Sequence, residues 1–407
     1  MPDKILIASA EPSVQLLSGV LRDVGHQVTQ VAEPEPFRRQ LRDMPDALLL
    51  DAGLLDRFPR KDWQGIDSDL KTIGIPCLRF SPQGMEPERM RAITPWAVST
   101  LVDLSNREHV LEQVELLLSM NRLLLERTLA EERLLAHRIE IEQGLSSASH
   151  IQHSLLPNAR PQTEEFSFAW QFLPCQTVGG DLFNLAALSE DLLMVYLIDV
   201  SGHGVSSAMV TVSVYQSLAV HTGQLVKRLL DRPPYYQILG PAEVLSGLDR
   251  EYPYERFEKF FTIVYLLLEP ATGRIRYCNG GHPFPVIVRA DGRRELLREG
   301  GTLIGLGGVL PYADAEVQLF PGDRLYLYSD GVTEYFSATG ELFGEQRLFD
   351  FLSQNHACSL DRTLQRLMDW LQDFGAGETP GDDVSIFGIQ YNGAPADSSC
   401  GQNKKRR

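Results

Sequence analysis

From Asn106 to Ser149 the chain contains no proline and a single glycine, Gly144, among many leucine, glutamate and arginine residues. These are strong helix formers, so the segment predicts one long helix. It separates two regions with different patterning, and a chain of 407 residues is long enough for a globular unit on each side. Leu111, Val114, Leu118, Leu125, Leu135 and Ile139 fall near a seven-residue repeat, interrupted by Asn121, Thr128 and Glu132. That pattern favours a coiled-coil linker over residues 106–149 that pairs two chains as a homodimer. The alternative is an amphipathic helix docked on its own domain.

Before the helix, "KILIAS", "QVTQVA", "DALLLDA", "IPCLRFS" and "VSTLVDL" read as strands, with helical spacing in "SVQLLSGVLRDVG" and "PFRRQLRDM". Apolar strands alternating with helices predict a doubly wound α/β domain with a parallel sheet over residues 1–105, its functional groups at the carboxyl ends of the strands. Beyond the helix, "FSFAWQFL", "LLMVYLIDV", "FFTIVYLLLE", "RIRYCNGG", "PFPVIVRA" and "DRLYLYSDG" suggest antiparallel strands, broken by helical stretches near 205–230, 241–251 and 345–374. Residues 150–391 therefore predict an α+β domain with two sheets, and the polar tail 392–407 is expected to be disordered.

A net charge of −16 argues against direct nucleic-acid binding, because phosphate would be repelled. The only basic run is the terminal "KKRR". Five scattered cysteines without a C-x-x-C pair, and an opening "MPDKILIASA" unlike a secretory leader, point to a reducing cytoplasm. No apolar run reaches the ~18 residues of a membrane span, so no membrane partner is expected.

Five acids in the third region stand beside apolar strands and turn residues: Asp181 in "VGGDLFN", Asp199 in "LIDVSGHG", Asp330 in "YSDGVTE", and Asp382 and Asp383 in "GDDVSIF". Taken singly, an Asp-Gly step is usually a turn. Strand ends from four distant segments can converge, however, and carboxylates meeting in a partly buried cleft repel one another unless a cation neutralises them. All-oxygen donors favour Mg²⁺ or Mn²⁺ over zinc. A carboxylate shared by two such ions gives the two-metal arrangement, in which activated water attacks phosphorus in line without a protein nucleophile.

In order along residues 150–391, "IQHSLLP", "VGGDLFN", "IDVSGHGVSSAM", "YCNGGHPFPVI", "GTLIGLG", "YSDGVTE" and "GDDVSIF" resemble the bacterial SpoIIE/RsbU-type branch of the metal-dependent PPM (protein phosphatase 2C-like) serine/threonine phosphatases. The resemblance implies a sandwich of two antiparallel sheets flanked by helices, with the ions at one end. It implies that Asp199 bridges two ions, that Asp181 and the Val200 carbonyl complete one shell, and that Asp330 with Asp382 hold the other, Asp383 being an alternative to its neighbour. His203 is the candidate proton donor to the leaving oxygen or a structural residue of the turn. His282 reads as loop support, and Gly179, Gly180, Gly202 and Gly204 as residues that let the backbone pass close to the ions. The activity implied is a hydrolase that dephosphorylates phosphoserine or phosphothreonine in bacterial signal transduction. Its implied partner is a STAS-type anti-anti-sigma protein in a partner-switching pathway. The alternative is a catalytically silent adaptor that binds a sigma factor or its regulator.

Residues 1–105 resemble a CheY-like response-regulator receiver, with Asp51 at the phosphoacceptor position and Ser81 at the hydroxyl position. Two departures matter. Ser9 and Ala10 stand where the family has two acids for Mg²⁺, and of this stretch only the next two residues, Glu11 and Pro12, match the family. Asp103 stands where the family has a lysine. A site short of metal carboxylates and with a reversed charge should bind Mg²⁺ and phosphate poorly. The expectation is a pseudo-receiver used for dimerisation or partner docking, with Asp51 the position to test for phosphorylation.

Overall fold

The computed structural model describes residues 2–59, 61–62, 66, 68–70, 75–80, 98–102, 107–157, 161, 163–220, 224–233 and 235–393. Ser81, Asp103 and nearly all of the predicted tail lie outside the described residues. The chain forms two compact units, Met1–Ile139 and Glu140–Arg407.

In the first unit five parallel strands lie in the order Gln27–Val31, Lys4–Ala8, Ala47–Asp51, Cys77–Phe80, Val98–Val102, as the alternating pattern predicts. Ala47–Asp51 is buried along its whole length, the mark of a central strand covered on both faces. The helix Arg107–Leu155 runs for 49 residues without a proline. Its first turns pack on this sheet: Val110, Val114, Leu117 and Leu118 are buried with Ile5, Ile7, Leu49 and Phe80. From Leu123 to Ile141 its apolar side chains are instead exposed, including Leu125, Leu129, Leu135 and Ile139. The docked helix considered as the alternative thus describes the first turns of this helix.

The second unit stacks two sheets between two helix layers. One sheet runs Gly300–Gly301, Arg274–Gly280, Phe261–Glu269, Leu192–Val200, Asp181–Ser189, with Ala315–Gln318 also on Arg274–Gly280. The other runs Arg294–Leu296, Val286–Val288, Arg324–Tyr328, Val384–Tyr391, Phe166–Leu173. The long ladders are antiparallel. Because side chains alternate across a strand, each sheet has two buried faces. Phe183, Val195, Leu197, Val264, Leu327 and Phe387 meet between the sheets. The opposite face of the first sheet, with Tyr196, Ile198 and Tyr265, is covered by the helices Val205–Ser217 and Pro241–Glu251 through Val210, Val214, Val244 and Leu248. The helices Gly344–Gln354 and Leu360–Phe374 cover the second sheet. In the latter, Leu360, Thr363, Leu364, Leu367, Met368 and Leu371 form one buried stripe at helical spacing.

The helix expected over 205–230 ends at Ser217, and a hairpin of Lys227–Leu229 with Tyr236–Ile238 follows. The bend at Asp231-Arg232-Pro233 turns the chain back between these two strands, with Tyr235 at φ 65° donating its N–H to Arg232 O at 2.8 Å. No helix among the described residues is long and apolar enough to cross a membrane.

Candidate metal centre

The inner columns of the sandwich change character at one end. Two residues beyond Leu197 on its strand stands Asp199, two before Phe183 stands Asp181, and two before Val264 stands Thr262. On the facing sheet Ser329 lies two beyond Leu327, and Ser385 and then Asp383 precede Phe387 by two and four. A period of two keeps all of these on the face that lines the gap between the sheets. The polar end is thus a direct continuation of the inter-sheet core. Asp199 is the cross-strand partner of both Asp181 and Thr262, so three oxygen-bearing side chains stand abreast.

The electrostatics follow from that crowding. Burial, then the charges of Asp199 and Asp383, hold the Asp181 carboxyl well above the usual range, although the Ser385 and Ser329 hydroxyls face it and oppose the shift. Burial and the nearby Asp330, Asp382 and Asp383 push Asp199 up to about 8. Burial, then Asp382 and Glu334, raise Asp330 to about 6. Asp382 is raised by burial and by Asp383. Asp181 Oδ2 is buried without a well-formed hydrogen bond among the described residues. A carboxylate left so normally costs several kcal/mol or takes up a proton. An orphaned oxygen among four further carboxyls is the donor set of a hard divalent cation, so the residues present fit the Mn²⁺ or Mg²⁺ that the sequence implies.

The backbone near the acids is tightly held. The Asp383 carboxylate accepts from three amides: Cys175 N to Oδ1 at 2.9 Å, Gly180 N to Oδ2 at 2.6 Å and Asp181 N to Oδ2 at 3.3 Å. Asp382 is half-buried, and its Oδ1 accepts the amide of Asp383 at 2.8 Å. A side chain at Gly179 would put its Cβ 2.0 Å from Asp383 Oδ2, and one at Gly180 would stand 2.6 Å from the Val200 carbonyl oxygen. The close approach read from these two glycines is therefore to a carboxylate and a carbonyl of the site. Gly202 and Gly204 adopt left-handed φ of 76° and 86°, giving the turn that leads into the helix Val205–Ser217.

His203 lies exposed in that turn, near enough for its charge to act on Asp382. His282 is buried, and its Nδ1 lies 2.7 Å from Thr262 Oγ1. Burial pushes its pKa down to about 3, so the ring is neutral. Its backbone N–H and carbonyl are bound by the Asn279 side chain at 2.7 and 2.9 Å, which matches the loop role.

Sequence reasoning missed four contributors. Cys175 places its sulfur with carboxylate oxygens of Asp382 and Asp383, all within 4.8 Å of one another, but burial and Asp383 push the thiol up to about 12. The thiol is therefore protonated in the ion-free protein at neutral pH. Lys259 Nζ fixes the His203 turn by donating to Ser201 O at 2.8 Å and Ser207 Oγ at 3.1 Å. Thr262 was hidden inside an apolar strand, and Gln152 inside the long helix. Gln152 is buried, with its Nε2 donating to Gly179 O at 2.8 Å and its Oε1 accepting from Gly179 N at 3.0 Å.

In the first unit Asp51 ends its strand as expected and is buried. Its Oδ2 accepts from Ser9 Oγ at 2.6 Å and its Oδ1 from Gly53 N at 2.9 Å. Glu11 pairs with Arg57 at 2.7 Å.

Residues 189–392 match the family model described as Stage II sporulation protein E (SpoIIE). Among curated proteins, the chain is 26% identical over 274 residues to Protein IcfG of Synechocystis sp., covering 63% of this chain and 42% of that protein. It is 28% identical over 205 residues to phosphoserine phosphatase RsbP of Bacillus subtilis, covering 48% and 47%. Phosphoserine phosphatase RsbU of the same organism is 25% identical over 222 residues, covering 54% and 62%. The chain thus spans about half the length of these relatives. Among solved structures, the SiaA-PP2C domain of Pseudomonas aeruginosa superposes with a TM-score of 0.52 at 20% identity, covering 63% of this chain and 99% of that one.

Proposed function

The chain belongs to the SpoIIE family, and on that premise we propose that it is a metal-dependent phosphoprotein phosphatase acting on phosphoserine or phosphothreonine of a partner protein in the cytoplasm. The observation that carries the reading is the row Asp181–Asp199–Thr262 at the end of the inter-sheet core, with Asp181 Oδ2 lacking a well-formed hydrogen bond and Asp330, Asp382 and Asp383 in the same field. Asp181, Asp199, the Val200 carbonyl, Asp330 and Asp382 are the groups that would hold the ions, Asp199 being the one that would be shared. Asp383 is the brace of the Gly180–Asp181 backbone and an additional donor through its remaining lone pairs. When bound, Mn²⁺ or Mg²⁺ supplies Lewis acidity that activates water and offsets phosphoryl charge.

The chain's own residues do the rest. Main-chain amides hold the Asp382 and Asp383 carboxylates in place before any ligand arrives, so little reorganisation of these two is needed during the reaction. To His203, exposed and near enough to act on Asp382, this reading gives the role of proton donor to the departing serine oxygen. Release of phosphate from p-nitrophenyl phosphate in Mn²⁺, abolished by Asp199→Asn, tests the assignment. Unchanged turnover in that variant, or none in the wild type, overturns it.

Two of the curated relatives are named phosphoserine phosphatases, which supports that substrate class. The motif resemblance extends the proposal to a STAS-type partner, tested by dephosphorylation of such a phosphoprotein. The exposed apolar row from Leu123 to Ile139 supports pairing of two chains through the long helix. For the first unit the same reading keeps a pseudo-receiver. Both oxygens of Asp51 are already hydrogen-bonded, and Ser9 binds it where a metal-holding acid would stand.

A further inference from the structure

We propose that Gln152 is a positioning residue of the metal centre: by hydrogen-bonding both the N–H and the C=O of Gly179, the last turns of the long helix set the turn that presents Asp181. The inference rests on the phosphatase reading and adds a residue from outside the sandwich to it.

Gln152 sits one turn before the end of the helix Arg107–Leu155 and is only 5% exposed. Its amide spans one peptide unit on each side of a single residue, donating from Nε2 at 2.8 Å and accepting at Oε1 at 3.0 Å. Because Gly179 offers one donor and one acceptor, the orientation of the side-chain amide is determined by its partners. No shorter side chain reaches both groups, and no apolar one satisfies them.

The other face of the same backbone meets Asp383, whose Oδ2 accepts from Gly180 N and Asp181 N. Gly179 is therefore held between a helix and the residue preceding the strand Val384–Tyr391, which lie far apart in sequence. The Thr211 hydroxyl takes up Gly180 O at 2.9 Å, and Val200 N donates to the same oxygen at 3.2 Å. Within this clamp Gln152 is the one contribution of the helix Arg107–Leu155 seen among the described residues. Without it the Gly179 amide and carbonyl are buried and unpaired, and the turn relaxes to find other partners. Asp181 follows two residues later and moves with it.

The full-length chain tests this with two readouts, Mn²⁺ binding by titration calorimetry and turnover of p-nitrophenyl phosphate across a range of Mn²⁺ concentrations. Gln152→Met keeps the length and packing of the side chain and removes both hydrogen bonds; Gln152→Ala removes the packing as well. In Gln152→Met the Mn²⁺ dissociation constant is expected to rise about tenfold or more. Turnover is expected to fall at low Mn²⁺ and to recover substantially at saturation, with the KM for the aryl phosphate little changed. His150→Gln, on the exposed side of the same helix, serves as the control and is expected to match wild type. Wild-type Mn²⁺ affinity in a folded Gln152→Met protein would overturn the inference, as would a loss of thermal stability with no change in affinity. A wild-type protein that neither binds Mn²⁺ nor turns over substrate would instead defeat the phosphatase reading beneath it.

Discussion

Three main-chain amides converge on the Asp383 carboxylate, and that residue shows how little freedom the centre has. Asp383→Asn is nearly isosteric but offers one acceptor oxygen where two are used. A loss of about 1–3 kcal/mol is expected in urea unfolding, with weaker Mn²⁺ binding. Gly179→Ala places a methyl 2.0 Å from a carboxylate oxygen that is itself held by amides and cannot swing aside. Overpacking of about 1–3 kcal/mol is expected, and loss of Mn²⁺-dependent turnover checks the local consequence. His282 supplies a pH test. Its pKa is lowered from 6.5 to about 3 in the fold, so the unfolded chain binds the proton more readily between those values. Stability from the neutral ring is full above pH 6.5 and is lost as pH falls toward 3. Chemical unfolding of His282→Gln at several pH values should show a shallower decline over that window, and an unchanged slope would contradict it. The two members of "GDD" could not be separated from sequence, because neighbouring residues point to opposite faces and nothing in the string says which face is inner. In the fold Asp383 is the buried one of the two and accepts three amides, whereas Asp382 is half-buried.

At the level of elements, the long helix carries two kinds of leucine. Leu118 is buried on the parallel sheet, whereas Leu129 is 52% exposed. Leu118→Ala is expected to cost about 2–5 kcal/mol of first-unit stability. Leu129→Ala should change the stability of a lone chain by less than about 0.5 kcal/mol. If two helices pair, the latter substitution weakens association instead, which sedimentation across a concentration series detects. The strands were legible because their alternation or continuous apolar character was strong, and the long helix because it lacks breakers. The hairpin at Lys227–Leu229 and Tyr236–Ile238 was not, since three-residue strands leave too short a pattern to compete with a helical reading of their neighbours. Gln152 was invisible for a related reason. A glutamine within a helical run looks like any solvated position until the fold brings a glycine peptide against it.

For the molecule as a whole, the acid cluster makes folding of the ion-free protein depend on pH. The carboxyls of Asp199 and Asp330 are raised to about 8 and about 6 in the fold, above the 3.8 of a free side chain. Their contribution to the ion-free fold is therefore full below pH 3.8 and lost as pH rises through those values. A divalent ion binds the ionised forms and reverses the penalty, so the gain in melting temperature on adding Mn²⁺ should grow between pH 6 and 8. Calorimetry in buffers of different ionisation enthalpy should also register proton release on binding. An Mn²⁺-induced shift that is flat with pH would contradict this account. The side-by-side pairing of Asp181 with Asp199 has one more consequence, for the lengths that this stretch of chain tolerates. Losing or gaining a single residue within either strand would turn its acid out of the inter-sheet gap and toward the helix-covered side, whereas changes in the Glu190–Asp191 bend leave the pairing intact. Natural or engineered variation here should therefore gather in that bend, and any change inside the strands should come in even steps.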